Sequence, residues 1–180
     1  MKLACNSGHI GFTDDNRIMA PGCSFRVNED AAFKETRLPV RFAETLHFFV
    51  KQWGLTTLEG CPDIVHGDFI ASENKLTTLR GGPRRVRFTY SVFGNPLTSL
   101  EWLPESVGDM LILGKQPGLG LLRVLLVNDW RQIRVRNPDS LAADTQLEEI
   151  LARHHPQGRA GLSACATEMI KAGYREHAKL

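Results

Sequence analysis

The chain has 180 residues, 42% of them hydrophobic and 23% charged, with a formal net charge of +2. It is long enough to bury a real core as one domain, and its charge balance neither demands nor excludes nucleic acid. Cys5, Cys23, Cys61 and Cys165 are too few and too scattered for a disulfide scaffold. They are expected as reduced thiols.

Residues 1 to 37 alternate apolar and polar side chains at His9-Ile10-Gly11-Phe12 and at Ser24-Phe25-Arg26-Val27, with Asp14-Asp15-Asn16 and Pro21-Gly22 between them. Short β-segments joined by turns fit this pattern, and the segment is expected to cap the exposed edge of a repeat array. No long apolar run opens the chain, so neither a signal peptide nor a membrane anchor is expected, and the expected compartment is the cytosol.

From Leu55 the sequence repeats every 21 residues: LTTLEGCPDIVHGDFIASENK, LTTLRGGPRRVRFTYSVFGNP, LTSLEWLPESVGDMLILGKQP. Leucine, threonine, leucine, proline and valine recur at fixed offsets, ending on Val65, Val86 and Val107. A constant period of this length is the signature of a solenoid, in which each copy is one turn and buries its apolar side against its neighbours. In the first copy Gly67, Phe69 and Ala71 take one side of a strand, and His66, Asp68, Ile70 and Ser72 the other. Asn74 closes the strand with a side chain suited to bonding the backbone of adjacent turns. Leu76 and Leu79 point inward from the return path. The same offsets predict strands near 88 to 93 and 109 to 114.

Residues 38 to 54, LPVRFAETLHFFVKQWG, read as an amphipathic helix or, one period back from Phe69 and Ala71, as a degenerate repeat whose strand carries Phe48 and Val50. The period favours the strand. After Pro117 a fourth copy is shifted by one residue; Leu119 and Leu122 continue the leucine pair, Ile133 and Val135 the strand pair, and LLRVLLV replaces the proline with a short helix or buried return. From residue 141 the period becomes 3.6. Leu147, Ile150 and Leu151 share one helix face, ending before His155-Pro156; Leu162, Cys165, Ala166, Met169 and Ile170 share another, with Gly173 as a stop. The expected fold is a single α/β domain: a leucine-rich-repeat-like solenoid of about five parallel strands at 38–140, with an N-terminal β cap at 1–37 and a two-helix cap at 141–180.

The repeat resembles the leucine-rich repeat: Phe69-x-Ala71-x-x-Asn74-x-Leu76 follows that family's strand from its second apolar position onward, while Val65 sits one residue too early. LTSLEWLPESVGDMLIL looks like the short proline-containing repeats of bacterial effectors, although no effector-type ubiquitin-ligase domain is expected. The pattern is closer still to small leucine-rich-repeat proteins of bacteriophage genomes, down to the tail GRAGLSACATEMIKAGYREHAKL. This resemblance spans roughly residues 38 to 180. It implies a fold and a phage or prophage origin, and no agreed activity.

Repeat proteins of this shape bind through the strand face that packing leaves free. The period sets three rows there: His47, Asp68, Thr89, Met110 and Gln132; Phe49, Ile70, Ser91, Ile112 and Arg134; Lys51, Ser72, Phe93, Gly114 and Arg136. Phe49, Ile70, Phe93, Met110 and Ile112 would form an apolar centre with cations at its margins, the composition of a protein interface. Arg80, Arg84, Arg85 and Arg87 form one basic group, and Arg131, Arg134 and Arg136 another. These make nucleic-acid association the alternative, opposed by Glu59, Asp63, Glu73, Glu101 and Glu105 in the same return regions. No spacing of His and Cys matches a four-ligand zinc site, no glycine-rich phosphate motif occurs, and Cys61 and Cys165 fall at core positions. The expectation is a non-enzymatic binding module without metal or cofactor. Its partner is another protein, of the host or of a phage, which it occludes or bridges, for instance to inhibit a host defence factor. Self-assembly through the same face into a homo-oligomer or virion component is the further alternative.

Overall fold

The computed structural model describes residues 10–26, 37–140 and 142–180 and the backbone of residues 2–5. Its strands are β1 (Lys2–Cys5), β2 (Gly11–Phe12), β3 (Ile18–Ala20), β4 (Cys23–Arg26), β5 (Phe42–Thr45), β6 (Phe48–Phe49), β7 (Ile64–Val65), β8 (Phe69–Ile70), β9 (Arg85–Val86), β10 (Thr89–Ser91), β11 (Ser106–Val107), β12 (Met110–Gly114) and β13 (Gln132–Arg136). They build a parallel β-solenoid of about five turns, as the period predicts. Residues 38–54 are β5 and β6, so the repeat reading prevails over the helix.

Each coil bends once between two short strands. Val65 and Phe69 both point inward, but they belong to different sheets. The seven-stranded sheet runs β1-β4-β6-β8-β10-β12-β13 and the six-stranded sheet β11-β9-β7-β5-β3-β2. Val65, one position early for a leucine-rich repeat, is therefore the inward residue of a second strand. Gly67 sits in the bend, where a Cβ would fall 2.4 Å from the His47 ring and 2.7 Å from the Leu46 carbonyl oxygen. At Gly108 a Cβ would lie 2.1 Å from the Arg87 carbonyl oxygen. At these two glycines the backbone or ring of the neighbouring coil lies so close that a side chain has no room.

Stacked coils align identical side chains into ladders. The rings of Phe25, Phe48, Phe69 and Tyr90 lie nearly parallel, with centroids 4.8, 5.7 and 5.3 Å apart, and Leu111 and Ile133 continue the column at the next two strands. Facing it, the paired leucines of each copy are all buried. Asn74 bonds to its neighbours as expected: its Oδ1 accepts from the Gly54 and Leu55 N–H groups, while its Nδ2 donates to the Val50 and Ala71 carbonyls. Asn95 repeats this one coil later.

The N-terminal segment is more than a lid. β3 and β4 run parallel to β5 and β6 and form a further coil, while β1 pairs antiparallel with β4 and β2 antiparallel with β3. Reversing the final strand of each sheet ends the parallel stack on the N-terminal side. Cys23 is disulfide-bonded, which corrects the reduced-thiol expectation for that residue, and the register sets Cys5 opposite it; Cys61 and Cys165 are free. The expected alternation at residues 9 and 27 lies outside the described residues.

LLRVLLV becomes a 3-10 turn at Leu122–Leu126. Helices α1 (Thr145–His154) and α2 (Leu162–Lys171) then cover the last coil. α1 packs on β13, and its buried Glu148 accepts from the Val135 N–H at 2.8 Å. Asp144 caps α1 through the Leu147 N–H and also holds Lys115 and Tyr174. Cys165 and Met169 are buried as predicted, but Ile170 is 40% exposed, a correction to the assigned inward face of α2. Among the described residues no helix is long and apolar enough to cross a membrane.

Candidate functional site

Six parallel strands, β4 through β13 of the seven-stranded sheet, present one continuous outward face. At about 4.8 Å between strands it spans about 24 Å. Because Phe48, Phe69, Tyr90, Leu111 and Ile133 occupy the inward side, strand alternation turns Phe49, Ile70, Met110, Ile112 and Arg134 outward. Phe49, Ile70, Met110, Ile112 and Phe93 are half-buried and form the apolar middle of this face.

Cations frame it. Arg26 lies 4.6 Å above the Phe49 ring and Arg136 5.5 Å from the Phe93 ring. Lys51 pairs with Glu73 at 3.0 Å, and Arg134 with Glu148 at 3.2 Å. His47 stacks on Phe49 at 5.5 Å, and its Nδ1 accepts from the Asp68 N–H. Asp68 in turn accepts from the Thr89 N–H, so the edge row His47–Asp68–Thr89 is held by backbone bonds. Arg26 was not among the candidates, because Phe25 precedes Phe48 by more than one period and its alignment cannot be read from the repeat.

Three candidates are placed otherwise than expected. Ser72 and Ser91 are 0% and 2% exposed, their hydroxyls bonded to each other at 2.7 Å, so they stabilise the sheet instead of offering contacts. Arg87 follows the inward Val86 of β9 and lines a groove on the six-stranded sheet, apart from the other candidates. The bend that splits each coil carries it there. The two arginine groups are likewise divided: Arg84 is paired with Glu105, Arg134 with Glu148, and Arg85 and Arg87 lie on the second sheet.

Elsewhere, a cleft of about 760 Å³ beside the N-terminal coil is lined by Arg17, Arg41, Glu59, Cys61 and Asp63. Burial pushes the Cys61 thiol well above its ordinary range, which holds it protonated and unreactive. Among the described residues no group of three or more His, Cys, Asp or Glu is placed to hold a metal ion. Comparison with protein-family models, with curated proteins and with solved structures gives no match.

Proposed function

We propose that the chain is a non-enzymatic protein-binding module that occludes or bridges a partner protein through the outward face of the seven-stranded sheet. The observation that carries this reading is the set of half-buried apolar side chains Phe49, Ile70, Phe93, Met110 and Ile112 on one face of parallel strands, around the Ser72–Ser91 pair and edged by Arg26, Lys51, Arg134 and Arg136. Apolar centre and polar rim are the anatomy of a protein interface, and the span suits an extended peptide or the edge of a folded protein. The resemblance to phage leucine-rich-repeat proteins supports a host or phage protein of the bacterial cytosol as the partner; inhibition of a host factor is the action proposed with it, although the resemblance itself carries no agreed activity.

A benzophenone amino acid placed at Phe93 tests this in bacterial lysate. Irradiation is expected to yield one dominant covalent adduct with a protein, absent when the same group replaces Thr77 on the exposed return path. Adducts of equal yield at both positions would contradict the assignment. A self-adduct, with a stable homo-oligomer by light scattering, would move the reading to self-assembly.

A further inference from the structure

The six-stranded sheet has an outward face of its own, and two of its arginines stand outside the ion pairs that cross it. Along it, Arg17 is held by Asp63 and Asp15, Arg84 by Glu105 at 2.8 Å, and His66 by Glu44 at 3.1 Å. Asp63 is engaged by Arg17 two coils away, Glu44 and Glu105 are engaged one coil away, and Asp129 accepts from the Ser106 hydroxyl at 2.8 Å. Arg85 and Arg87, both exposed, form no ion pair among the described residues and line the same groove of about 360 Å³. Its remaining walls are Ile64, Val65, His66, Val86, Ser106 and Gly108. The last two give the groove its depth: Ser106 is small, and no side chain fits at Gly108 over the Arg87 carbonyl.

At the end of this groove the chain bends, and Phe88 occupies the bend with its side chain 45% exposed. In the preceding coil the equivalent residue is Gly67. An exposed aromatic ring therefore stands beside two guanidinium groups that form no ion pair among the described residues, with Arg87 over it at 5.7 Å from its centroid. Exposed aromatic area next to unpaired arginine is the combination that takes a phosphate backbone on the cations and a base on the ring.

We infer that this second face binds single-stranded nucleic acid, with phosphates on Arg85 and Arg87 and a base stacked on Phe88. The site is independent of the protein-binding face on the other sheet. Sequence specificity is not built into it, because backbone charge and ring stacking are common to all bases.

Fluorescence anisotropy with a labelled oligothymidylate of about 12 nucleotides tests the inference on the full chain. The logarithm of the association constant is expected to fall against log salt with a slope of about −1.4, for two neutralised phosphates. The R85Q/R87Q variant flattens that slope and weakens binding roughly ten-fold or more. F88A keeps the slope and weakens binding about five-fold or more. R159Q/R175Q removes the same formal charge at the C-terminal cap and is expected to leave affinity within about two-fold. All five positions are exposed, so circular dichroism should show every variant folded. The inference is overturned by absence of binding to the wild type at low salt, or by equal losses in R85Q/R87Q and R159Q/R175Q. It is also overturned if polyglutamate binds as tightly with the same sensitivities, since the face would then be a docking site for acidic protein.

Discussion

Replacing Asn95 by alanine tests what holds one coil to the next. Asn95 is 1% exposed. Its Oδ1 accepts from the N–H groups of Asn74 at 3.2 Å and Leu76 at 3.1 Å; its Nδ2 donates to the carbonyls of Ala71 at 3.0 Å and Val92 at 2.8 Å. The Ala71 oxygen also receives Asn74 Nδ2, so it keeps a partner in the variant. That leaves two N–H groups and one carbonyl stripped inside the protein. At about 1–3 kcal/mol each, partly relieved by water in the vacated space, the loss is roughly 3–5 kcal/mol. Such a loss is a large fraction of the stability of a domain this size. Urea unfolding followed by far-ultraviolet circular dichroism measures it from the shift in midpoint at constant m-value. The Asn74→Ala variant is expected to behave alike. The double variant should lose about 1 kcal/mol more than the sum, because only then is the Ala71 oxygen abandoned by both side chains. A single-variant loss below about 1 kcal/mol, or strict additivity, would show that the asparagine column is not what joins the coils.

The Tyr90 hydroxyl is buried with no hydrogen-bond partner in an otherwise phenylalanine column; Tyr90→Phe should raise Tm by about 2–4 °C for each kcal/mol recovered, and a lower Tm would reveal a partner for the hydroxyl. Gly108→Ala drives a methyl into the Arg87 carbonyl and should cost about 3 kcal/mol or more, whereas the same change at Gly11, with nothing within 4 Å, should be nearly silent by the same urea titration. Asp144 is drawn in two directions: burial raises its pKa, but the hydrogen bonds from Lys115, Tyr174 and the Leu147 N–H prevail, leaving it below the usual carboxylate value. A carboxylate lowered on folding adds stability above its unfolded pKa and loses it as pH falls through the folded one. Asp144→Ala should therefore cost about 1–2 kcal/mol at neutral pH, a gap from wild type that closes below about pH 4; a constant gap would assign the loss to packing alone.

The repeat made the inward side of the fold readable. A 21-residue shift connects Phe48, Phe69, Tyr90 and Leu111, and it placed the asparagines, the leucine pairs and, through the degenerate copy, the strand at Phe48. The helical cap was readable from the change of period at residue 141, except that Ile170 lies beyond the buried arc of α2. The second sheet was hidden because Val65, Gly67 and Phe69 alternate as one continuous strand would; the bend is a backbone event at Gly67, and the equivalent position in the next coil is Phe88. That bend also carried Arg87 to the other face. The N-terminal coil escaped because Phe25 and Phe48 are separated by a longer interval than the repeat. Alternation told which side Ser72 and Ser91 occupy, but not that their hydroxyls would satisfy each other out of reach of solvent.

On the proposed function, the outward face of the seven-stranded sheet is the surface that holds the partner protein. Affinity capture from nuclease-treated bacterial lysate tests it most directly, comparing the wild type with a Phe49→Asp/Phe93→Asp/Ile112→Asp variant at moderate and high salt. The expected result is a protein retained by the wild type at both salts and lost by the variant, with circular dichroism showing that the variant remains folded, since all three side chains face away from the core. A partner retained equally by the folded variant would contradict the claim and place the binding surface elsewhere on the coil.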